Sequence, residues 1–357
     1  MSIAGAGIAL LNSLLRRADA ALVRRSAWDT AQTKATMLSG ILRDKGAGYN
    51  AELNRDCLPP GANEYLRPDN PRLLELRKRY AEIDQPMAER SFWSNALIEA
   101  EVDLRYFRAD SAYVWQSRDF NAALNYLLAA YYVQKIDSQN LLQGLTEDGL
   151  FGAWVHSFND EFLISRDLLD SIVEIYFLER HLQISSWPGV NILDVGAGYG
   201  RLAHRMVTAL PNIGSYFCVD SVPESTFLSE YYLKFREVND RARVVTLWEI
   251  EQTLTKNKVD VALNIHSFTE CGISAIAGWL DLLQRYRVRY LVIIPNGEDH
   301  QGSKLLSRER DNNRIDFLGL IQEKGYDLIA HDPKYLDSSV QQYGPSATRH
   351  YLFELIR

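Results

Sequence analysis

Asp194, Gly196, Gly198 and Gly200 alternate along Ile192-Leu193-Asp194-Val195-Gly196-Ala197-Gly198-Tyr199-Gly200-Arg201-Leu202-Ala203, where an apolar strand signal runs straight into glycines and then a helix signal. Such a corner suits a nucleotide, because glycine lets the backbone turn tightly and lets a ligand approach where a Cβ would collide. A dinucleotide fingerprint, G-x-G-x-x-G, needs glycine at the position of Arg201, and the Gly-Lys-Ser/Thr of a phosphate-cradling Walker loop is absent. What remains is D-x-G-x-G-x-G. About 20 residues past Gly200, the apolar run that begins at Ser215 ends on Asp220, the spacing of a carboxylate that accepts hydrogen bonds from both hydroxyls of a ribose. The competing reading of Asp220 is a helix N-cap, because Pro223-Glu224-Ser225 opens the next helix, and Ser221 could share either task.

The elements that must position these residues alternate to the end of the chain. After the first two strands, Ala242–Leu247, Val259–Ile265, Tyr290–Pro295, Tyr326–Ala330 and Tyr351–Ile356 read as strands three to seven, and near-continuous apolar runs of this kind suit strands buried on both faces. Ile276, Trp279, Leu280 and Leu283 repeat at helical spacing between strands four and five, and Arg314–Glu323 predicts a further helix. The alternation predicts a doubly wound α/β sheet over 186–357. Residues 47–185 read as a helical domain: Asn70-Pro71 caps one helix, and others are expected over Ala96–Phe107, Ala122–Lys135 and Asp167–Leu182. Tyr113, Trp115, Phe120, Tyr126, Tyr131 and Tyr132 make this region aromatic, with one or two expected to touch substrate and the rest to fill helix interfaces. Leu145 to His156 breaks the helical pattern with two glycines and is expected to be a lid or acceptor loop.

The 357 residues carry a net charge of −7, which argues against nucleic acid as the main partner. Residues 1–46 run the other way: Arg16, Arg17, Arg24, Arg25, Lys34, Arg43 and Lys45 oppose Asp19, Asp29 and Asp44. Ile8, Leu11, Leu15, Ala18 and Leu22 form an apolar stripe beside those arginines, so residues 8–25 predict an amphipathic arm that packs on the protein or a partner subunit, or contacts an anionic membrane face. Three separated cysteines, Cys57, Cys218 and Cys271, fit a reducing compartment and no zinc site. No run of 18 apolar residues and no cleavable signal stands out, so a cytoplasmic protein, peripheral at most, is expected.

The glycine corner resembles the first motif of the class I S-adenosylmethionine-dependent methyltransferases. Taken with Val219-Asp220-Ser-Val-Pro-Glu224, Asn264-Ile-His-Ser-Phe-Thr-Glu270 and Pro295-Asn296, the last 215 or so residues resemble a bacterial family of sugar O-methyltransferases. The resemblance implies a seven-stranded, Rossmann-like sheet, S-adenosyl-L-methionine as cofactor, and methylation of a hydroxyl on a nucleotide sugar or glycan. It implies that Gly196, Ala197, Gly198 and Gly200 line the cofactor, that Asp194 helps hold its ammonium group, and that Asp220 and Ser221 bind its ribose. Trp248 and Glu249 are then expected near adenine, and Asn264 close to the cofactor.

Methyl transfer requires an acceptor oxygen held in line and, for a weakly acidic hydroxyl, a base. His266 is the first candidate because a free imidazole titrates near neutrality, and Glu270 is the second, as base or as orienter of the imidazole. His156, Ser267, Asn296 and His300 are expected near the acceptor. Glu298 and Asp299 read as solvated acids rather than metal ligands, so no metal is expected. The same fold could instead methylate a polyketide, lipid or phenolic hydroxyl, could less readily transfer an aminopropyl group, or could serve as a non-catalytic assembly subunit.

Overall fold

A computed structural model describes residues 58–109, 113, 120–159, 162–297 and 304–356, all within one compact unit, Tyr49–Arg357. The N-terminal arm, Cys57, Trp115, Glu298, Asp299 and His300 lie outside the described residues.

The main helices are α1 (Pro71–Ala81), α2 (Asn95–Glu101), α3 (Phe120–Ile136), α4 (Arg166–Leu182), α5 (Arg201–Ala209), α6 (Pro223–Phe235), α7 (Ile250–Lys256), α8 (Ile273–Arg285) and α9 (Leu318–Glu323). The strands are β1 (His156–Phe158), β2 (Phe162–Ile164), β3 (Val190–Val195), β4 (Ile213–Val219), β5 (Ala242–Val244), β6 (Val261–Ile265), β7 (Tyr290–Ile294), β8 (Tyr326–Pro333) and β9 (Arg349–Leu355). β3 to β9 form one seven-stranded sheet in the order β5-β4-β3-β6-β7-β9-β8, parallel from β5 to β7, with β9 antiparallel to both of its neighbours. The chain winds outward from β3 through β4 to β5 and then returns to the other side of β3 as β6. That reversal opens a crevice beyond the carboxyl ends of β3 and β6, where sheets of this kind bind ligands. This is the doubly wound, seven-stranded α/β fold the sequence predicts.

The strand segments match closely, and the helix ends show what sequence period alone misses. α2 stops at Glu101 because Asp103 Oδ1 accepts the Arg105 and Tyr106 N–H groups at 2.9 and 3.2 Å, a side-chain turn that competes with the helix. α9 begins only at Leu318, whose N–H is taken by Asp316, and the third strand ends at Val244, before a 3₁₀ turn over Leu247–Glu249. β1 and β2 pair antiparallel, a pairing that no sequence period signals. Asn70 caps α1 as expected, accepting the Arg72 N–H at 2.9 Å, and the apolar face of Leu73, Leu76 and Tyr80 is buried. Arg72 clamps Glu230 of α6 with bonds of 3.0 and 2.6 Å, which fastens α1 behind the end of β4.

The segment expected to be a lid is anchored instead. Arg108, wholly buried, donates from Nη2 to both oxygens of Glu147 at 2.9 and 2.8 Å and from Nε to Asp167 of α4 at 2.8 Å. Arg205 of α5 adds a bond to Glu147 at 2.9 Å and one to the Thr146 carbonyl at 2.8 Å. Burial pushes the Glu147 carboxyl up, but Arg108 and Arg205 outweigh it and hold it down at about 2. His156, expected at the acceptor, lies buried in β1 against Tyr126, and burial lowers its pKa to about 4. Tyr132 packs on Tyr335 in a buried interface, whereas Tyr131 meets Phe158 edge-on from an exposed position. Among the described residues no helix is long and apolar enough to cross a membrane.

Removing one partner of a buried ion pair strands the others. Arg108→Ala is expected to lower unfolding free energy by about 3–5 kcal/mol, read as a fall in urea midpoint, whereas loss of the exposed Arg285–Glu251 pair should cost under about 1 kcal/mol. A midpoint unchanged in Arg108→Ala would show that the cluster does not hold the loop.

Candidate active site

β3 delivers Asp194 to its carboxyl end and then turns through Gly196, Gly198 and Gly200, all with positive φ (77°, 58° and 85°). Their reasons for being glycine differ. A Cβ on Gly196 would fall 2.4 Å from Ser267 Cβ, so this glycine admits the loop after β6. A Cβ on Gly200 would meet Ser229 and Leu233 of α6 at 2.9 and 3.2 Å; this glycine serves helix packing and does not line the cavity. Only Gly198 leaves room on the cavity side, where a Cβ would sit 3.4 Å from the Tyr113 ring.

Asp220 follows β4 and faces the same cavity. Its Oδ2 accepts the Gly198 N–H at 3.0 Å and its Oδ1 accepts the Val222 N–H at 2.9 Å, so both readings hold in part: the carboxylate ties down the helix entry and also the glycine loop. Tyr80 supports it from behind through the Asp220 carbonyl at 3.1 Å. Burial raises the Asp220 carboxyl to about 6, against the pull of those backbone donors. Asp194 is raised further, to about 7, because it is buried; the Tyr216 hydroxyl donates to it at 2.8 Å.

Beyond β6, the backbone at His266 turns with φ 68°, unusual for a non-glycine residue. Asn264 holds that turn: it donates to the Val195 carbonyl at 2.9 Å and to Ser267 Oγ at 2.6 Å and accepts the Phe268 N–H at 2.9 Å. It is buried and stands behind the cavity wall, not in it. His266 and Glu270 do reach the cavity, as does Asn296 after β7. Glu270 Oε2 accepts the Trp93 indole N–H at 2.8 Å and Oε1 accepts from Asn296 at 3.1 Å. Burial raises the Glu270 carboxyl above its ordinary range despite these bonds.

The expectation that His266 titrates near neutrality fails. Burial, then the positive charges of Arg166 and Arg201, depress its pKa to about 3, and its imidazole has no hydrogen-bond partner among the described residues. It is therefore neutral at pH 7. Trp248 and Glu249 are also away from the cavity. The Trp248 ring is stacked by Arg79 at 3.6 Å and met edge-on by Tyr80, and Glu249 forms a capping box with Thr246.

Ala197 and Ser221 line the cavity alongside Asp194, Gly196, Gly198 and Asp220, and Ser267 lies beside them. The sequence reading missed Trp93 and Arg166, which come from outside the glycine-motif region yet form part of the wall. No spacing signal links them to it, since each reaches the site through tertiary packing. Trp93 stacks on Tyr113 at 5.8 Å, and Tyr113 in turn bonds to Ser225 at 3.1 Å. Burial keeps the thiol of Cys271, also in the wall, protonated. Among the described residues no three metal-ligating side chains cluster.

No family model matches the chain, and no curated protein matches it. Solved structures share the sheet at low similarity. A SAM-dependent methyltransferase from Aquifex aeolicus is 16% identical over 52% of this chain and 98% of its own, with a TM-score of 0.38. The mitomycin 7-O-methyltransferase MmcR is 15% identical over 54% and 57%, with a TM-score of 0.35. The [4+2]-cyclase SpnF is 13% identical over 63% and 93%, with a TM-score of 0.37. The strand order and the reversal beside β3 make this chain a doubly wound, Rossmann-like α/β protein.

Proposed function

We propose that this protein is an S-adenosylmethionine-dependent O-methyltransferase acting on a sugar hydroxyl, with Glu270 as the base. The observation that carries the reading is the meeting of the glycine loop, Asp220, Asp194 and Glu270 around one cavity at the reversal of the sheet. The donor set fits the cofactor: Asp220 offers a carboxylate for a ribose diol, Asp194 offers one for an ammonium group, and Gly198 leaves the loop low enough for close approach. When bound, S-adenosylmethionine supplies an already activated methyl group. The chain's own task is then to hold an acceptor hydroxyl and take its proton. Glu270 is fixed by one donor on each oxygen, which leaves each with lone-pair capacity for that hydroxyl. The sugar reading is supported by the Trp93 and Tyr113 rings, which offer apolar faces to ring C–H groups, and by the polar pair Glu270 and Asn296 beside them.

Calorimetry with S-adenosylhomocysteine tests the cofactor. Asp220→Ala should lose affinity about 10- to 100-fold, the worth of charge-assisted bonds; unchanged affinity in a folded variant would remove the ribose assignment.

The raised carboxyls set a pH dependence. Asp194 binds a proton more tightly in the folded chain than in the unfolded one, so the ligand-free protein loses stability as pH rises from about 4 to about 7. A cation bound beside it favours the ionised form. Affinity should therefore climb as pH rises to about 7 and level off above, with proton release on binding, and Asp194→Asn should flatten the climb; a pH-independent parent would exclude an ionising Asp194.

With a panel of nucleotide sugars against aglycone alcohols as acceptors, Glu270→Gln should bind S-adenosylhomocysteine nearly as the parent does and slow single-turnover transfer by about 10²-fold or more. His266→Asn should slow it less. Parental rates in Glu270→Gln would exclude Glu270 as base, and turnover confined to the aglycones would overturn the sugar assignment.

A further inference from the structure

The segment 305–317 ahead of α9 doubles back on itself. The Ser307 N–H bonds to the Ile315 carbonyl at 2.8 Å and the Glu309 N–H to the Asn313 carbonyl at 2.9 Å, and Leu306 bridges Asp316 in the antiparallel sense. That register sets Arg308 directly opposite Arg314, so the two side chains leave the same face of the turn as neighbours. Like charges in that position repel, and among the described residues neither guanidinium forms an ion pair that would offset the repulsion. The acid they share is Glu270, whose carboxyl feels both charges without ion-pair contact to either.

Both arginines are fixed in place. Arg314 Nη1 donates to the Thr269 carbonyl at 2.8 Å and to the Ser307 carbonyl at 3.4 Å. The Arg308 backbone N–H bonds to the Cys271 carbonyl at 2.8 Å, its guanidinium lies over the Phe92 ring at 4.1 Å, and its Nη2 reaches Asn312 at 3.3 Å. Thr269 and Cys271 flank Glu270, and Phe92 precedes Trp93, so the pair stands just beyond the Glu270 end of the cavity. Nε and the second terminal nitrogen of each fork have no acceptor among the described residues.

We infer that Arg308 and Arg314 together bind a diphosphate carried by the acceptor sugar, which makes the substrate a diphosphate-linked sugar and not a neutral glycan. The assignment rests on the sugar O-methyltransferase reading above. A diphosphate offers acceptor oxygens to both forks and relieves the repulsion between them, and it leaves the attached sugar on the Trp93 side with a hydroxyl for Glu270.

Calorimetry on protein loaded with S-adenosylhomocysteine, with inorganic pyrophosphate as the probe, tests the assignment. Arg308→Gln should weaken pyrophosphate by about 10- to 100-fold and leave S-adenosylhomocysteine within about twofold of the parent. Arg308→Lys, which keeps the charge but not the fork, should lose part of the pyrophosphate affinity and none of the S-adenosylhomocysteine affinity. Arg310→Gln removes a nearby exposed arginine that pairs with Glu89 at 3.2 Å, and it should bind pyrophosphate as the parent does. Unchanged pyrophosphate binding in Arg308→Gln would overturn the assignment, as would an equal loss in Arg310→Gln, the mark of general charge attraction. UDP and farnesyl diphosphate separate the two sources of the group: tighter Arg308-dependent binding of the first supports a nucleotide sugar, and of the second a lipid-linked one. Single-turnover transfer to a neutral glycan as fast as to a nucleotide sugar would overturn the diphosphate and leave the sugar reading standing, whereas transfer to aglycones alone would overturn both.

Discussion

The buried ionic cluster around Arg108 is the constraint on which the site's geometry depends. Arg108 and Arg205 neutralise Glu147 and Asp167, and the Tyr199 hydroxyl donates to Asp167 at 2.6 Å. Tyr199 is the residue between Gly198 and Gly200. The nucleotide corner is therefore pinned from outside by an arginine 90 or so positions upstream, through α4 and not through the sheet. Burying four charges is costly unless all are paired, so the cluster favours one arrangement of three segments: the stretch before α3, the loop over Thr146–Gly152, and the glycine turn. That explains why a glycine-bearing loop, which composition marks as mobile, is instead fixed.

The same economy of burial sets the chemistry. Asp194, Asp220 and Glu270 all face the cavity, and burial raises each of them. Asp194 at about 7 and Asp220 at about 6 cost little while protonated and become strong anions once a cation arrives. His266 is pushed the other way by the same burial with Arg166 and Arg201 added, so one physical effect separates the acids from the imidazole.

The seven strands were legible because each is a short apolar run bounded by turn residues, and period and length suffice for that. Asp220 was legible too, through its distance from Gly200, and the structure shows its carboxylate meeting Gly198. Residues whose work is set by partners far along the chain were not. Asn264 reads as polar and site-directed in sequence, yet two of its three hydrogen bonds go to the turn it supports and the third to the Val195 carbonyl at the end of β3. Trp248 reads as a ligand platform, yet Arg79 and Tyr80 of α1 claim its ring. Trp93 carries no motif at all and reaches Glu270 because the Phe92 N–H pairs with the Glu270 carbonyl at 3.3 Å.

Gly196 shows how local and distant demands merge in a motif. Its positive φ makes the turn after β3, a local requirement that asparagine could meet in part. The decisive demand comes from β6: the Asn264 turn carries Ser267 to within 2.4 Å of where a Gly196 Cβ would stand, and Ser267 Oγ donates to the Val195 carbonyl at 3.2 Å. An alanine at 196 would push Ser267, and with it His266 and Glu270, away from the cavity. The glycine that reads as a nucleotide signature thus sets how closely the loop after β6 packs on the turn after β3, and the two sides of the cavity are adjusted by one missing methyl group.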